Sequence, residues 1–160
     1  MTAARTRPGL VLIAFLALLA STRAAHADDD RRTRVPLLPR YQQECASCHL
    51  AYPPGMLPAE SWRRLINNLP RHFGTDASLE PVSAKELSAW LAANAGTYKR
   101  VREAPPGDRI TASGWFMRKH DEVPPAAWKR PAVKSAANCS ACHAQADQGD
   151  FNEHAVRIPR

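Results

Sequence analysis

The 160-residue chain has no cysteine outside two five-residue segments, Cys45–His49 and Cys139–His143, so no thiol is left for any other purpose. It has no long apolar run beyond its N-terminal region, where eleven residues from Leu10 to Ala20 fall short of the roughly 20 that span a bilayer. Lysine and arginine are scattered, and no basic stretch is interleaved with aromatics, which argues against nucleic-acid binding. Strand-like alternation, internal repeats beyond the cysteine segments and a separate acid–base constellation for substrate chemistry are all missing. With so few apolar runs, the polypeptide lacks the means to fill a sizeable core by itself. Something else must occupy the interior.

The N-terminus shows where the chain goes. Arg5 and Arg7 precede the apolar run, and Ala25-His26-Ala27 follows as a small-x-small cleavage site, the layout of a secretory signal peptide. Cleavage after Ala27 removes three arginines and no acid, leaving 133 residues with a net charge of +4. The expected product is a periplasmic protein that does not itself span the membrane. Its moderate basic balance suits an acidic partner or membrane surface. Clusters such as Lys99-Arg100-Val101-Arg102 and Arg118-Lys119 would steer a redox partner or form a solvated face.

What the chain does have is Cys-x-x-Cys-His, twice: Cys45-Ala46-Ser47-Cys48-His49 and Cys139-Ser140-Ala141-Cys142-His143. This is the attachment signal of c-type haem. Two thiols add across the porphyrin vinyl groups as thioethers, and the histidine that follows ligates the iron. Two covalently attached haem c groups are therefore expected, on Cys45 and Cys48 and on Cys139 and Cys142. Cytochromes c acquire haem outside the cytoplasm, in agreement with the export signal. The alternative, in which the cysteine pairs hold zinc or form disulfides, is disfavoured by their wide separation and by the histidine after each pair.

Proline punctuates the rest. Of 14 prolines, 13 follow the cleavage site, with pairs at Pro53-Pro54, Pro105-Pro106 and Pro124-Pro125. The expected fold is mainly α: short helices and proline-rich connectors wrapped around two haems. Pro39 opens a helix that carries Tyr41 and delivers the first motif. A second helix, near Ala59 to Phe73, places Trp62, Leu65, Ile66, Leu69 and His72 at helical spacings, and Pro70 kinks or ends it. Ser83 and Glu86 form a capping-box signature for a third helix, with Gly96 marking its end. Ser113 caps a short helix through Trp115, Phe116 and His120, with Trp128 packed nearby. Ser135 is a candidate cap for a helix into the second motif, and the tail from Gly149 reads as extended. The organisation is a signal peptide at 1–27, a mobile polar arm at 28–38, a first haem lobe at 39–102 and a second at 103–160.

Counting histidines refines the sites. His49 and His143 are the motif ligands, and His26 leaves with the signal peptide, so His72, His120 and His154 remain for two distal positions. His72 and His120 share apolar faces, where an unpaired imidazole is costly unless it is hydrogen-bonded or metal-bound. His154 lies in a polar tail. His72 falls 23 residues after His49 and His120 falls 23 before His143, so each can serve its nearer haem, with crossed ligation open. Met56 and Met117 are the other available ligands, and methionine would raise the potential. With His72 and His120 filling the distal positions, neither iron is open to substrate, and electron transfer is the expected function. A peroxidase or a gas-binding sensor would need one open iron.

The segments Glu44–His49, Ala51-Tyr52-Pro53-Pro54-Gly55, Ser61-Trp62, Arg71-His72-Phe73-Gly74, Trp115-Phe116, His120-Asp121-Glu122, Trp128, Cys142-His143, Gly149-Asp150-Phe151 and Ile158-Pro159 together resemble the dihaem cytochrome c family. The resemblance runs from about residue 40 to 160. It implies a periplasmic bis-histidine electron carrier. It also implies redox partners, an oxygen-binding monohaem cytochrome c of the sphaeroides haem protein type and a membrane b-type cytochrome.

Overall fold

The computed structural model describes residues 35–160; the expected signal peptide and most of the polar arm lie outside them. Among the described residues four α-helices form: α1 (Pro39–Cys45), α2 (Ala59–Asn67), α3 (Pro81–Ala93) and α4 (Gly114–Lys119). Single 3-10 turns supply most of the remaining helical structure, and among the described residues there is no strand, only an isolated bridge between His72 and Thr75. Proline explains the short lengths. Pro39 and Pro81 sit in the first turns of α1 and α3, where the missing N–H costs nothing. Among the described residues no helix is long and apolar enough to cross a membrane.

The core belongs to the first half. Tyr41 of α1, Ala51 and Leu57 of the following loop, Trp62 of α2, and Leu87 and Leu91 of α3 form one buried cluster. Polar groups in it are satisfied: the Trp62 indole N–H donates to Pro54 O at 2.7 Å and the Tyr41 hydroxyl to Tyr52 O at 2.9 Å. Leu37 and Leu38, at the end of the expected arm, pack against this cluster, as does Ile110 from beyond the proline-rich connector at 103–109. The second half buries fewer large side chains, chiefly Phe116 and Val133 with Ala127 and Ala146.

The connector is tied to α2. Arg64 donates two hydrogen bonds to the Asp108 carboxylate, at 2.9 and 2.7 Å. Gly107 and Asp108 both have positive φ, 60° and 55°, and this left-handed pair turns the carboxylate back toward α2. At the other end, the tail is fastened to the second motif: the Arg157 N–H donates to Cys142 O at 3.0 Å and the Arg130 guanidinium to Pro159 O at 2.6 Å.

Local expectations met mixed outcomes. Ser113 does cap α4, accepting the Phe116 N–H at 3.2 Å. The Ser83–Glu86 box does not form. α3 starts earlier, with Glu80 at the N-cap, and the Ser83 hydroxyl instead accepts from Arg40 at 3.1 Å. Ser135 caps nothing, because Lys134 takes φ 69° and the second motif is a 3-10 turn, Cys139–Ala141. Gly96 lies past the end of α3 at a point of close approach. A Cβ there would run into Gly55 O and would meet Val101 Cγ1 at 2.6 Å.

Candidate haem sites

α1 runs straight into the first motif: Cys45 is its last residue, and the chain turns through 46–48 to present His49. The His49 Nδ1–H donates to Leu50 O at 2.7 Å, which leaves Nε2 for a metal. Burial pushes the Cys45 thiol up to about 11, with the neighbouring Glu44 adding to the effect. In the second motif burial lifts Cys139 to about 11 and raises Cys142. The four cysteines form no disulfide with one another, and among the described residues no three His, Cys, Asp or Glu side chains converge to hold a lone metal ion. The zinc and disulfide alternatives gain nothing from the structure.

His72 is reached in a way that its helical spacing did not foresee. α2 ends at Asn67, and Pro70 sits inside a separate 3-10 turn, Leu69–Arg71, that delivers His72 as its C-terminal cap. Phe73 and Gly74, with φ of 52° and 96°, then reverse the chain. His120 occupies the same position on α4, directly after its last turn. There its Nδ1–H donates to Phe116 O at 2.9 Å, satisfying a carbonyl that the helix end would otherwise leave unpaired. The Phe116 ring stacks on the His120 imidazole with centroids 4.0 Å apart, and Trp128 closes in at 5.8 Å.

The histidines come together in pairs that are close in sequence. His49 and His72 have ring centroids 6.0 Å apart, and His120 and His143 have theirs 6.2 Å apart. Two imidazoles bound to one metal through bonds of about 2.0 Å would carry their centroids about 6.3 Å apart. Both pairs therefore fit a haem iron between them. Burial lowers the pKa of His72 and of His143, each helped by the partner imidazole, and so favours the neutral ring that donates a lone pair to a metal. The buried His72 Nδ1 has no hydrogen-bond partner, and neither has the buried Trp115 indole N–H.

Of the other candidates, Met56 is buried in the 3-10 turn after Pro53, and Met117 is 61% exposed. His154 is exposed, although it lines with His143 a cavity of about 410 Å³ under the tail. Tyr52 and Phe73 stand in the sequence only among the residues that carry the family resemblance, with no sign of their contacts to the histidines. Tyr52 stacks on His49 with centroids 5.1 Å apart, and Phe73 packs on His72 at 4.8 Å beneath the Arg109 guanidinium. The four-residue step from Phe116 to His120 was the one available signal, since it places an open helix-end carbonyl beside the histidine.

Known proteins bear on this geometry. A family model described as dihaem cytochrome c matches residues 41–151. A dihaem cytochrome c of Shewanella baltica is 39% identical, with a TM-score of 0.68 over 78% of this chain and 95% of that one. Two structures of the dihaem cytochrome c of Rhodobacter sphaeroides are 41% and 42% identical, with TM-scores of 0.65 and 0.63. Each covers 73% of this chain, and the match takes in 98% and 99% of theirs. No curated protein sequence matches significantly. The motifs, the mainly helical fold and these similarities agree: the chain belongs to the dihaem cytochrome c family and carries two covalently attached haem c groups.

Proposed function

We propose that the protein is an electron carrier in which both haem irons are ligated by two histidines. His49 and His72 serve the haem held by Cys45 and Cys48, and His143 and His120 serve the haem held by Cys139 and Cys142. The observation that carries this reading is the spacing of the imidazole pairs, 6.0 and 6.2 Å between centroids, at two independent places in the chain.

When bound, a haem c group supplies a one-electron ferric–ferrous couple whose potential is set by its axial ligands and their surroundings. The protein's part is to fix those ligands. The carbonyls of Leu50 and Phe116 hold Nδ1 of His49 and His120, orienting the rings and strengthening them as ligands. With two histidines holding each iron, no position would be left for substrate, and the potential would lie below that of a methionine–histidine site. The expected export signal supports a periplasmic location for the carrier. Its exchange partners are other redox proteins, with an oxygen-binding monohaem cytochrome c and a membrane b-type cytochrome as the pair that the family resemblance implies.

Carbon monoxide tests the ligation. Added to the fully reduced haem-loaded protein, it should leave the Soret band of both haems unshifted. A complete shift at one haem would mean an open iron and favour a peroxidase or gas sensor instead.

A further inference from the structure

His49 of the first motif and Cys139 of the second are 90 positions apart, yet one side chain reaches from the first motif to the chain entering the second. The Tyr52 ring stacks on the His49 imidazole, with centroids 5.1 Å apart and planes 23° apart. Its hydroxyl donates to Ala137 O at 2.7 Å, two residues before Cys139. Tyr52 is itself anchored, since its carbonyl accepts the hydroxyl of Tyr41, a residue buried in the first-half core. A continuous line of contacts thus runs from that core through Tyr52 to the chain entering the second motif.

We propose that Tyr52 is the positioning residue that ties the two haem sites together: its ring sets the plane of His49, and its hydroxyl fixes the approach of the second motif. This rests on the bis-histidine reading above. In such a carrier an electron must pass between sites, and the rate of that step depends steeply on their separation and orientation. Tyr52 is neither oxidised nor deprotonated in this role; one electron leaves one iron and arrives at the other, and no bond forms or breaks.

The two halves of the side chain act on different sites, which makes the proposal separable from a general structural role. The ferric haems should be distinguishable by electron paramagnetic resonance. Near-parallel imidazoles, at 24° in the first pair, donate unequally into the two iron d orbitals of π symmetry. Near-perpendicular ones, at 75° in the second pair, donate almost equally and give a more anisotropic signal. Redox titration of each signal in haem-loaded Tyr52→Phe and Tyr52→Leu is the experiment. Tyr52→Phe keeps the ring and loses the hydroxyl, so the second haem's signal and midpoint should shift while the first stays. Tyr52→Leu should shift the first haem's signal as well.

Overturning results are a Tyr52→Phe protein whose second haem is unchanged, or a Tyr52→Leu protein whose first haem is unchanged. Tyr52→Phe preserves the packing, so the hydroxyl half is tested even where Tyr52→Leu fails to mature. Failure of the ligation reading itself shows separately, as a high-spin signal in the unsubstituted protein.

Discussion

The two haem sites use the same residue types and are built by opposite means. The first is set in a packed core of three helices, α1 to α3, whose buried cluster runs from Tyr41 to Leu91. Its distal candidate, His72, has a half-buried ring whose Nδ1 finds no partner. The second has one helix of six residues, then 3-10 turns and a tail pinned across its motif. Its distal candidate is clamped locally, by the Phe116 carbonyl below and the Phe116 ring alongside. The first site is thus positioned by tertiary packing, the second by one residue's immediate neighbours. The second half buries few large apolar side chains of its own, chiefly Phe116 and Val133.

Removing a distal histidine should break the comparison most severely. His72→Ala should open the first iron and His120→Ala the second, each giving carbon monoxide binding at one haem and leaving the other closed. Optical titration of the reduced variants checks this, and binding at the opposite haem would show that the ligands are crossed. Next comes Leu87→Ala, at a side chain that is fully buried. It should cost about 2–5 kcal/mol in a denaturant melt, with the first haem's spectrum responding more than the second's. Phe116→Leu should reverse that bias. It removes the ring stacked on His120 and lowers stability by about 1 kcal/mol for that contact. The second haem's paramagnetic signal should change, because His120 loses its fixed plane, while the first signal stays.

The smallest effect concerns the link between the halves. Hydrogen bonds from Arg64 hold the Asp108 carboxylate below the usual carboxylate range. A depressed carboxylate stabilises the fold above its unfolded pKa, about 3.9, and the contribution is lost as pH falls through the lower folded value. Asp108→Asn should therefore be slightly less stable than the parent at neutral pH, with the difference fading in acid. Asparagine tolerates the left-handed backbone at this position, so the substitution isolates the charge. Thermal melts of both proteins from neutral pH down to about pH 3 would measure it; a difference that grows in acid contradicts the assignment.

Much of this was legible in the sequence because it was local. Proline at position 39 starts a helix, Pro70 ends one, and Ser113 caps another, each through its own backbone chemistry. Local signals failed where a distant partner claimed the same group. Ser83 resembled a cap until Arg40 took its hydroxyl, and Gly96 resembled a helix stop when its smallness serves contact with Gly55 and Val101. His72 comes beside His49 by a route other than the expected one, since the helix whose face it was assigned to ends five residues earlier.

By itself the sequence determined the cofactor chemistry: two thioether attachment motifs, a histidine after each, and too little apolar sequence to make a core unaided. Those are matters of covalent reactivity and composition, which adjacent residues carry with them. Only the tertiary structure decided which histidines come together, at what angle their planes meet, and that Tyr52 reaches from the first motif to the chain entering the second. Such relations join residues 23 or 85 positions apart, and packing, not local propensity, sets the distance between them. The repeated motif names two haems; the fold makes them unlike.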